Sequence, residues 1–393
     1  MLSNKFVVLG VMVAVGAWSA SAMTLEEIDG VFEFAELQYK KATDSLTVEE
    51  GIPRNSHADG TWNQLGITSW TSGFFPGCLW LIYAQNQDDD WKKEAQKWTA
   101  PLEPLKTYDH HHDVGFMVFC SYGEGYRLTQ DPEYKAIILQ TADTLATRFR
   151  PSGGIIQSWG SIHNENTKTY RVIIDNMMNL EMMLWASKNG GDETLKAIAL
   201  THADTTMKHH FRPDGSSFHK LTYELESGKV LLKQTHQGYA DDSMWARGQA
   251  WALYGYTMMY RETEEERYLE TAEKAAAIYL KRLPKDGIPR WDFDAPDSKP
   301  FKDASAAAIA SSALVELSQL TGKKEYLAAA EKALEELSTD RYLAKGEKYQ
   351  CLLLHSVGNL NRTSEVDVNI SYADYYFLEA LSRLKKVKQG QPL

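Results

Sequence analysis

The sequence alternates between two kinds of helical segment, and that alternation limits the folds open to it. One kind carries apolar residues on nearly every side: 70–84, 114–128, 176–187, 243–260, 304–320 and 372–384. The other kind is amphipathic and rich in Ala, Lys and Glu: 91–98, 133–142, 194–203, 267–275 and 325–333. A helix that is apolar all round is buried on all sides, whereas one with a single apolar stripe lies at a surface. The amphipathic segments return roughly every 45–75 residues, a period that signals repeated structural units. With 24–42 included, the pattern predicts about twelve helices in inner and outer pairs. Six such hairpins closed into a ring make an all-α (α/α)6 barrel, its inner helices parallel and their N-termini at one mouth. An open helical solenoid is the other arrangement of the same segments. Gly115, Gly123, Gly125, Gly248 and Gly255 lie inside apolar segments. Glycine lowers helix propensity there, so close packing is the expected reason for them.

Long irregular connections at 150–174, 213–242, 283–303 and 342–371 join the hairpins, with strand-like runs such as 230–232. Loops of that length in a compact chain usually carry function. No low-complexity linker divides the chain, so residues 23–393 read as a single domain. Residues 1–22 read separately. A basic start at Lys5, a short apolar run from Phe6 to about Trp18 and the end Ala20-Ser-Ala22 form the pattern of a secretory signal peptide. The run is shorter than the roughly 20 residues a membrane span needs. Cys78, Cys120 and Cys351 stand far apart, with neither zinc spacing nor an even-numbered disulfide framework. Buried free thiols on an exported chain suit a bacterial periplasm. The net charge of −11 argues against nucleic-acid binding, which needs a basic footprint. An anionic substrate would have to be held locally, by a few placed cations against the overall field.

Four polar motifs fall where loops lead into inner helices. They are Trp70-Thr-Ser-Gly-Phe-Phe-Pro-Gly77, His110-His-His-Asp113-Val-Gly-Phe116, Ile173-Ile-Asp175-Asn-Met-Met-Asn-Leu180 and His236-Gln-Gly-Tyr-Ala-Asp241-Asp-Ser-Met-Trp-Ala-Arg247-Gly-Gln-Ala-Trp251. In a barrel they gather at one mouth. Asp113 and Asp175 each precede an apolar helix, and an ordinary N-cap would account for either one. As a pair in a poorly solvated site they mean more, because two nearby buried carboxylates push one pKa upward. One protonated acid beside one charged partner is the arrangement that sugar chemistry through oxocarbenium-like states uses.

The consecutive histidines at 110–112 point in different directions, and no metal-binding spacing such as H-E-x-x-H occurs. No metal is therefore expected. His112 reads as a hydrogen-bond donor near Asp113, with the choice among the three open. His202 and His209 fall on an outer helix and read as structural or solvated. Trp70, Trp159, Trp245, Trp251 and Trp291 lie in or near the mouth segments, where indoles either stack on sugar faces or fill the core. Trp159, in a loop, is the strongest candidate for substrate. Arg247 either pairs with Asp241 or Asp242 or recognises a carboxylate, for which its planar guanidinium is suited. No G-x-S-x-G elbow, P-loop or dinucleotide fingerprint is present.

Together the four motifs resemble those of the unsaturated glucuronyl hydrolases of glycoside hydrolase family 88, over roughly residues 60–385. Residues 372–381 are similar to that family's last inner helix. The resemblance implies the (α/α)6 barrel and a substrate ending in a 4,5-unsaturated uronic acid, such as the glycosaminoglycan oligosaccharides that lyases leave. It implies a reaction in which the C4=C5 double bond is hydrated, with no metal or organic cofactor. Asp175 matches the family's acid/base. Asp113 matches the residue that holds sugar hydroxyls and keeps Asp175 protonated. His112, Trp70, Trp159, His219, Gln237, Arg247 and Trp251 match substrate contacts, His219 in a weaker stretch. Rival readings are an unsaturated rhamnogalacturonyl hydrolase acting on pectin fragments, a lyase or inverting glucanase, and a non-catalytic periplasmic glycan-binding protein. Lys220, Lys233, Arg290, Arg362 and Ser364 are candidates for sulfate tolerance that sequence alone does not place.

Overall fold

The computed structural model describes residues 23–57, 59–346 and 348–393; the leader-like segment 1–22 lies outside the described residues. Helices alternate between an outer and an inner layer. Outer α1 (Leu25–Ser45) leads to inner α2 (Phe74–Asn86) and outer α3 (Asp89–Thr99). Inner α4 (Val114–Val118) runs through a π-turn at Phe119–Gly123 into α5 (Glu124–Thr129), followed by outer α6 (Pro132–Ala146). Inner α7 (Leu180–Lys188), outer α8 (Thr194–His210), inner α9 (Ala246–Thr263) and outer α10 (Glu266–Arg282) continue the series. Inner α11 (Ala304–Thr321), outer α12 (Lys324–Leu337) and inner α13 (Ser371–Lys388) complete it. Helix α13 packs on both α11 and α2, which closes the ring into an (α/α)6 barrel.

The layers follow from the pattern of side chains. Every residue of α11 from Ala304 to Ser318 is buried. In α10 only the stripe Tyr268, Thr271, Ala272, Ala275, Ala276 and Tyr279 is covered. Helix α2 begins at Phe74, four residues later than the sequence pattern suggests. Pro76 explains the shift: proline is tolerated in a first helical turn but not further in. Residues 70–73 form a turn instead and carry Trp70 to the mouth. The segment at 176 also starts late, because a 3-10 turn over Ile174–Asn179 precedes α7. No helix among the described residues is long and apolar enough to cross a membrane. The three cysteines are free and buried.

The long connections fold into antiparallel β-ribbons over the mouth. These are β1 (Ile52–Ser56) with β2 (Trp62–Leu65), β3 (Phe149–Arg150) with β4 (Ile155–Ile156), a sheet of β5 (Thr169–Ile173), β6 (Lys220–Glu224) and β7 (Val230–Gln234), and β8 (Ser356–Asn359) with β9 (Ser364–Val368). In the three-stranded sheet Arg171 pairs with Thr222 and Ile173 with Lys220. Alternate residues Tyr170, Val172, Leu221 and Tyr223 point the other way and form a small second core with Ile155.

Two inner-helix glycines show why no larger residue fits. A Cβ on Gly255 would stand 2.5 Å from Met177 Cβ, and one on Gly115 would stand 2.5 Å from Asn179 Oδ1. Gly30, on outer helix α1, has nothing within 4 Å of its Cβ position. Gly255→Ala is therefore expected to destabilise the fold by about 1–3 kcal/mol through overpacking. Gly30→Ala should stabilise it by up to about 1 kcal/mol through helix propensity. Urea titration of both variants checks this, and equal effects would contradict the packing argument.

Candidate active site

Asp113 and Asp175 sit at the inner-helix starts, yet neither caps its helix. Asp113 makes no capping hydrogen bond to α4. The work falls to Asn179, whose Oδ1 accepts the Phe116 N–H at 3.0 Å from across the barrel. Asp175 lies within the 3-10 turn, and its Oδ2 has no hydrogen-bond partner among the described residues. Both carboxyls are thus left over for other use. They face a cavity of about 840 Å³ at the mouth, whose wall also includes Trp70, Trp159, Gln237 and Tyr372.

Burial dominates the electrostatics of this pair. Each aspartate is only 7% exposed. Loss of water pushes the Asp175 carboxyl up to about 7, an effect that Arg247 partly opposes. Burial pushes Asp113 well above the usual carboxylate range, and the charge of Asp175 pushes it further. The pair accordingly retains a proton near neutral pH.

A neutral imidazole stands behind each carboxylate. The backbone N–H groups of His236 and Gln237 both donate to His219 Nδ1 at 3.2 Å. The ring proton must then reside on Nε2, which lies 3.6 Å from Asp175 Oδ2. Burial holds His219 far below the usual histidine range. His112 Nε2 lies 3.3 Å from Asp113 Oδ1, with its ring wholly buried. His111 accepts the Asp113 N–H at 3.2 Å and is pushed down to about 4 by burial. His110 is exposed.

The placement revises several expectations. Trp70, Trp159 and Gln237 do line the cavity. His112, His219, Arg247 and Trp251 are at most 3% exposed and lie behind its wall. Apolar packing explains Trp251, which lies against Phe116 and Tyr376. Arg247 pairs with neither Asp241 nor Asp242. Its partner is Asp303 at 3.1 Å, and its remaining donors take the carbonyls of Val357 and Gly358. Gln237 Nε2 donates to the same Gly358 carbonyl at 2.9 Å. Those bonds clamp the β8–β9 hairpin to the barrel. Trp245 and Trp291 are core residues, and His202 accepts the Ile156 N–H at 3.0 Å inside the fold.

A run of stacked groups forms one wall. Arg54 lies 5.9 Å over Trp70, Trp70 lies 5.0 Å from Tyr372, and Arg247 lies 5.3 Å over Tyr372. Arg247 also lies 4.5 Å over Trp245, which stacks on His219 at 4.2 Å. Aromatic faces attract cations, so the wall alternates rings and guanidiniums down to the imidazole behind Asp175. Arg54 and Tyr372 escaped the sequence reading. Tyr372 begins an inner helix, as Asp113 does, and that rule could have found it. Arg54 sits in a short strand with no motif around it.

The cavity is also lined by Arg171, Lys220 and Arg362, none of which has a carboxylate within salt-bridge distance among the described residues. All three act on His236, whose ring packs against Trp159 at a tilt of 58°, with ring centres 5.0 Å apart. Ser364 lies in the wall as well. Lys233 and Arg290 do not; they bond to the His209 carbonyl and to Asp297.

Comparison with known proteins follows the same lines. The family model described as Glycosyl Hydrolase Family 88 matches residues 39–387. The chain is 45% identical to an unsaturated glucuronyl hydrolase of Formosa agariphila, covering 91% of this chain and 90% of that protein. It is 34% identical to an unsaturated chondroitin disaccharide hydrolase of Streptococcus pyogenes serotype M1, covering 93% and 92%. The crystal structure of an unsaturated glucuronyl hydrolase specific for heparin superposes with a TM-score of 0.88 at 42% identity, over 93% of this chain and 98% of that one.

The raised carboxyls make stability depend on pH. Between the ordinary 3.8 and about 7 the folded chain keeps a proton on Asp175 that the unfolded chain has lost. The contribution of this site to stability therefore falls as pH rises through that window. Asp175→Asn should raise stability by up to about 4 kcal/mol at pH 8, with the gain vanishing below about pH 4. Urea titrations at the two pH values test this, and a pH-independent gain would contradict it.

Proposed function

We infer the activity of this cavity from an established membership: the chain belongs to glycosyl hydrolase family 88, and it is an unsaturated glucuronyl hydrolase. It removes the 4,5-unsaturated glucuronic acid from the non-reducing end of lyase-made glycosaminoglycan oligosaccharides by hydrating the C4=C5 double bond. The observation that carries the chemistry is the buried carboxyl pair, which holds a proton near neutral pH where a solvated aspartate would not.

In the mechanism we propose, Asp175 is the acid and then the base. Its proton goes to C4 of the vinyl ether, and positive charge develops at C5 and the ring oxygen. Water adds to C5 and gives its proton to Asp175, which restores the starting acid. The product at C5 is a hemiketal. Its opening leaves a ketone at C5 and a hemiacetal at C1, whose collapse breaks the glycosidic bond. Asp113 holds the sugar hydroxyls, and the two buried carboxyls share between them the proton that Asp175 delivers. The His219 Nε2–H stands 3.6 Å from Asp175 Oδ2 without bonding it, and it is placed to close on the carboxylate that appears when the proton leaves. Trp70 and Trp159 provide the flat surfaces between which the sugar lies, and Gln237 offers it a polar contact. Positioned acid–base catalysis of this kind contributes roughly 10²–10⁴-fold.

Beyond the cleaved bond, Arg171, Lys220 and Arg362 favour substrates with a further anionic group on the neighbouring sugar. Like charges gathered without counter-charges are unfavourable, and an anion between them relieves the repulsion. The relatives' names include both heparin and chondroitin activities. We also propose that the protein works in the periplasm, on the strength of the leader-like pattern in residues 1–22. Cell fractionation with an antibody to the mature chain tests that location.

The activity is read as loss of the ultraviolet absorbance of the conjugated double bond on unsaturated disaccharides from chondroitin, hyaluronan and heparin. Asp175→Asn is expected to lower kcat by about 10²–10⁴-fold or more. The wild-type rate should decline as pH rises above about 7, where Asp175 loses its proton. Consumption of none of the three substrates would overturn the reading, as would an Asp175→Asn variant that keeps its rate. Lys220→Ala should raise KM for sulfated disaccharides and leave unsulfated ones little changed.

A further inference from the structure

The two carboxyls arrive on separate segments, and neither is fixed by a capping bond to its own helix. Their spacing is set from the side. Strand β6 pairs with β5, which leads into Asp175, and the Ile174 N–H donates to the His219 carbonyl at 2.9 Å. The sheet does not stop at β5. Single antiparallel bridges join Arg171 to Trp159 and Trp159 to His111. Segments 171–173, 158–159 and 111–112 thus lie side by side. The first runs on to Asp175 and the last to Asp113.

Ser158 is where the three segments meet. Its N–H donates to the Arg171 carbonyl at 2.8 Å, and its carbonyl accepts the His112 N–H at 3.0 Å. Its hydroxyl oxygen accepts the Ile173 N–H at 3.0 Å. One wholly buried residue is therefore bonded to the residue before Asp113 and to the residue two before Asp175. Neighbouring strands are normally joined through backbone groups alone. Here a side-chain oxygen makes one of the links. Arg148 holds this middle segment from behind. Its guanidinium is wholly buried and donates to the carbonyls of Asp109, Gln157 and Gly160, the last two at 2.8 and 3.1 Å. Those carbonyls flank Ser158 and Trp159 and begin the segment that carries Asp113. A cation buried on carbonyls alone is costly, and only a planar fork of donors reaches all three.

We propose that Ser158 is a positioning residue for the reaction, which sets the spacing of the Asp113 and Asp175 carboxyls, and that Arg148 holds Ser158 in place between them. The proposal rests on the roles given to that pair above. Proton transfer to C4 and addition of water at C5 depend on placement, since an error of 1 Å can cost about 100-fold in rate. Spacing also governs how far the charge of one carboxyl raises the other. The other groups around the pair are Arg148, Arg247 and the imidazoles of His111, His112 and His219, which burial keeps neutral.

The test is Ser158→Ala, which keeps the backbone bonds of the segment and removes the hydroxyl that holds Ile173. With the Asp175 segment released on that side, kcat should fall about tenfold or more while KM changes less than about threefold. In an Asp175→Asn background the same change should cost less than about twofold, because a residue that acts through Asp175 then has nothing to place. The aspartate carboxyls can also be titrated without substrate, by carbon-13 NMR. The higher of the pair's two transitions should drop by about half a unit or more in Ser158→Ala, since carboxyls held less closely repel less. Arg148→Lys keeps the charge but not the fork, and it should lower kcat in the same way. An unchanged kcat and titration in Ser158→Ala would overturn the proposal. So would an equal loss with and without Asp175, which would mark Ser158 as merely structural. A wild-type rate in Arg148→Lys would overturn the part given to Arg148. No turnover by wild type would remove the activity on which the proposal rests, whereas an unmoved titration would overturn the spacing by itself.

Discussion

The active-site wall depends on one buried cation. Arg247 is 1% exposed and meets Asp303, which is wholly buried. Removing two charges from water costs several kcal/mol each, and the attraction between them offsets that only where the remaining donors and acceptors are satisfied. Here they largely are. Arg247 bonds the Val357 and Gly358 carbonyls, and Asp303 accepts from the backbone and hydroxyl of Ser305. The same guanidinium is sandwiched between Tyr372 and Trp245. Helix α9 is thereby joined to α11, to the β8–β9 hairpin and to α13, and through Trp245 to the histidine behind Asp175. Truncating Arg247 would leave a buried carboxylate without its partner as well as freeing the hairpin, so a loss of activity there would not establish contact with substrate.

The barrel also separates two jobs that aspartate does at helix starts. At α11 it caps: Asp303 accepts the Ser305 N–H. At α4 the first-turn N–H of Phe116 goes to Asn179 instead, and Gly115 makes room for that approach. Asp113 is released from capping in a dry site, where burial keeps its pKa high. The energetic cost is the one expected of a functional site, namely a carboxyl that would be more stable solvated. Asn179 therefore serves the site twice, since it takes over the capping bond and its side chain also bonds the Asp113 carboxyl, which opposes part of the rise that burial causes.

Much of this was legible in the sequence, for identifiable reasons. Burial on all sides leaves a continuous apolar run, so the inner helices were visible, and the loops that interrupt them announced the mouth. Trp70, Gln237 and the aspartate pair stood in motifs adjoining those helices, and Trp159 stood in one of the long loops. What sequence could not give was depth. His112 and Arg247 share the motifs of the cavity residues and His219 lies in a weaker stretch, but all three are buried behind the wall, and a difference in side-chain direction decides the matter. Nor could it give pairing across long separations. Arg54 meets Glu365 and Arg247 meets Asp303 through ring closure, which no local pattern records.

Charge in the cavity is sorted by depth, and the reaction explains the sorting. In the mechanism proposed above, a free cation beside Asp175 would lower its pKa and take away the proton that the vinyl ether needs. Two of the guanidiniums around the cavity are neutralised by a carboxylate, Arg247 by Asp303 and Arg54 by Glu365, while the buried Arg148 bonds only carbonyls and opposes part of the rise of the Asp113 carboxyl. Three further cations without carboxylate partners, Arg171, Lys220 and Arg362, are set on the outer wall, the first and last exposed. There they can attract an anionic fragment to a chain whose net charge is −11, and solvent weakens their reach toward the acid. Attraction of the substrate and protonation of the catalyst make opposite demands on positive charge. Distance and pairing let one cavity meet both.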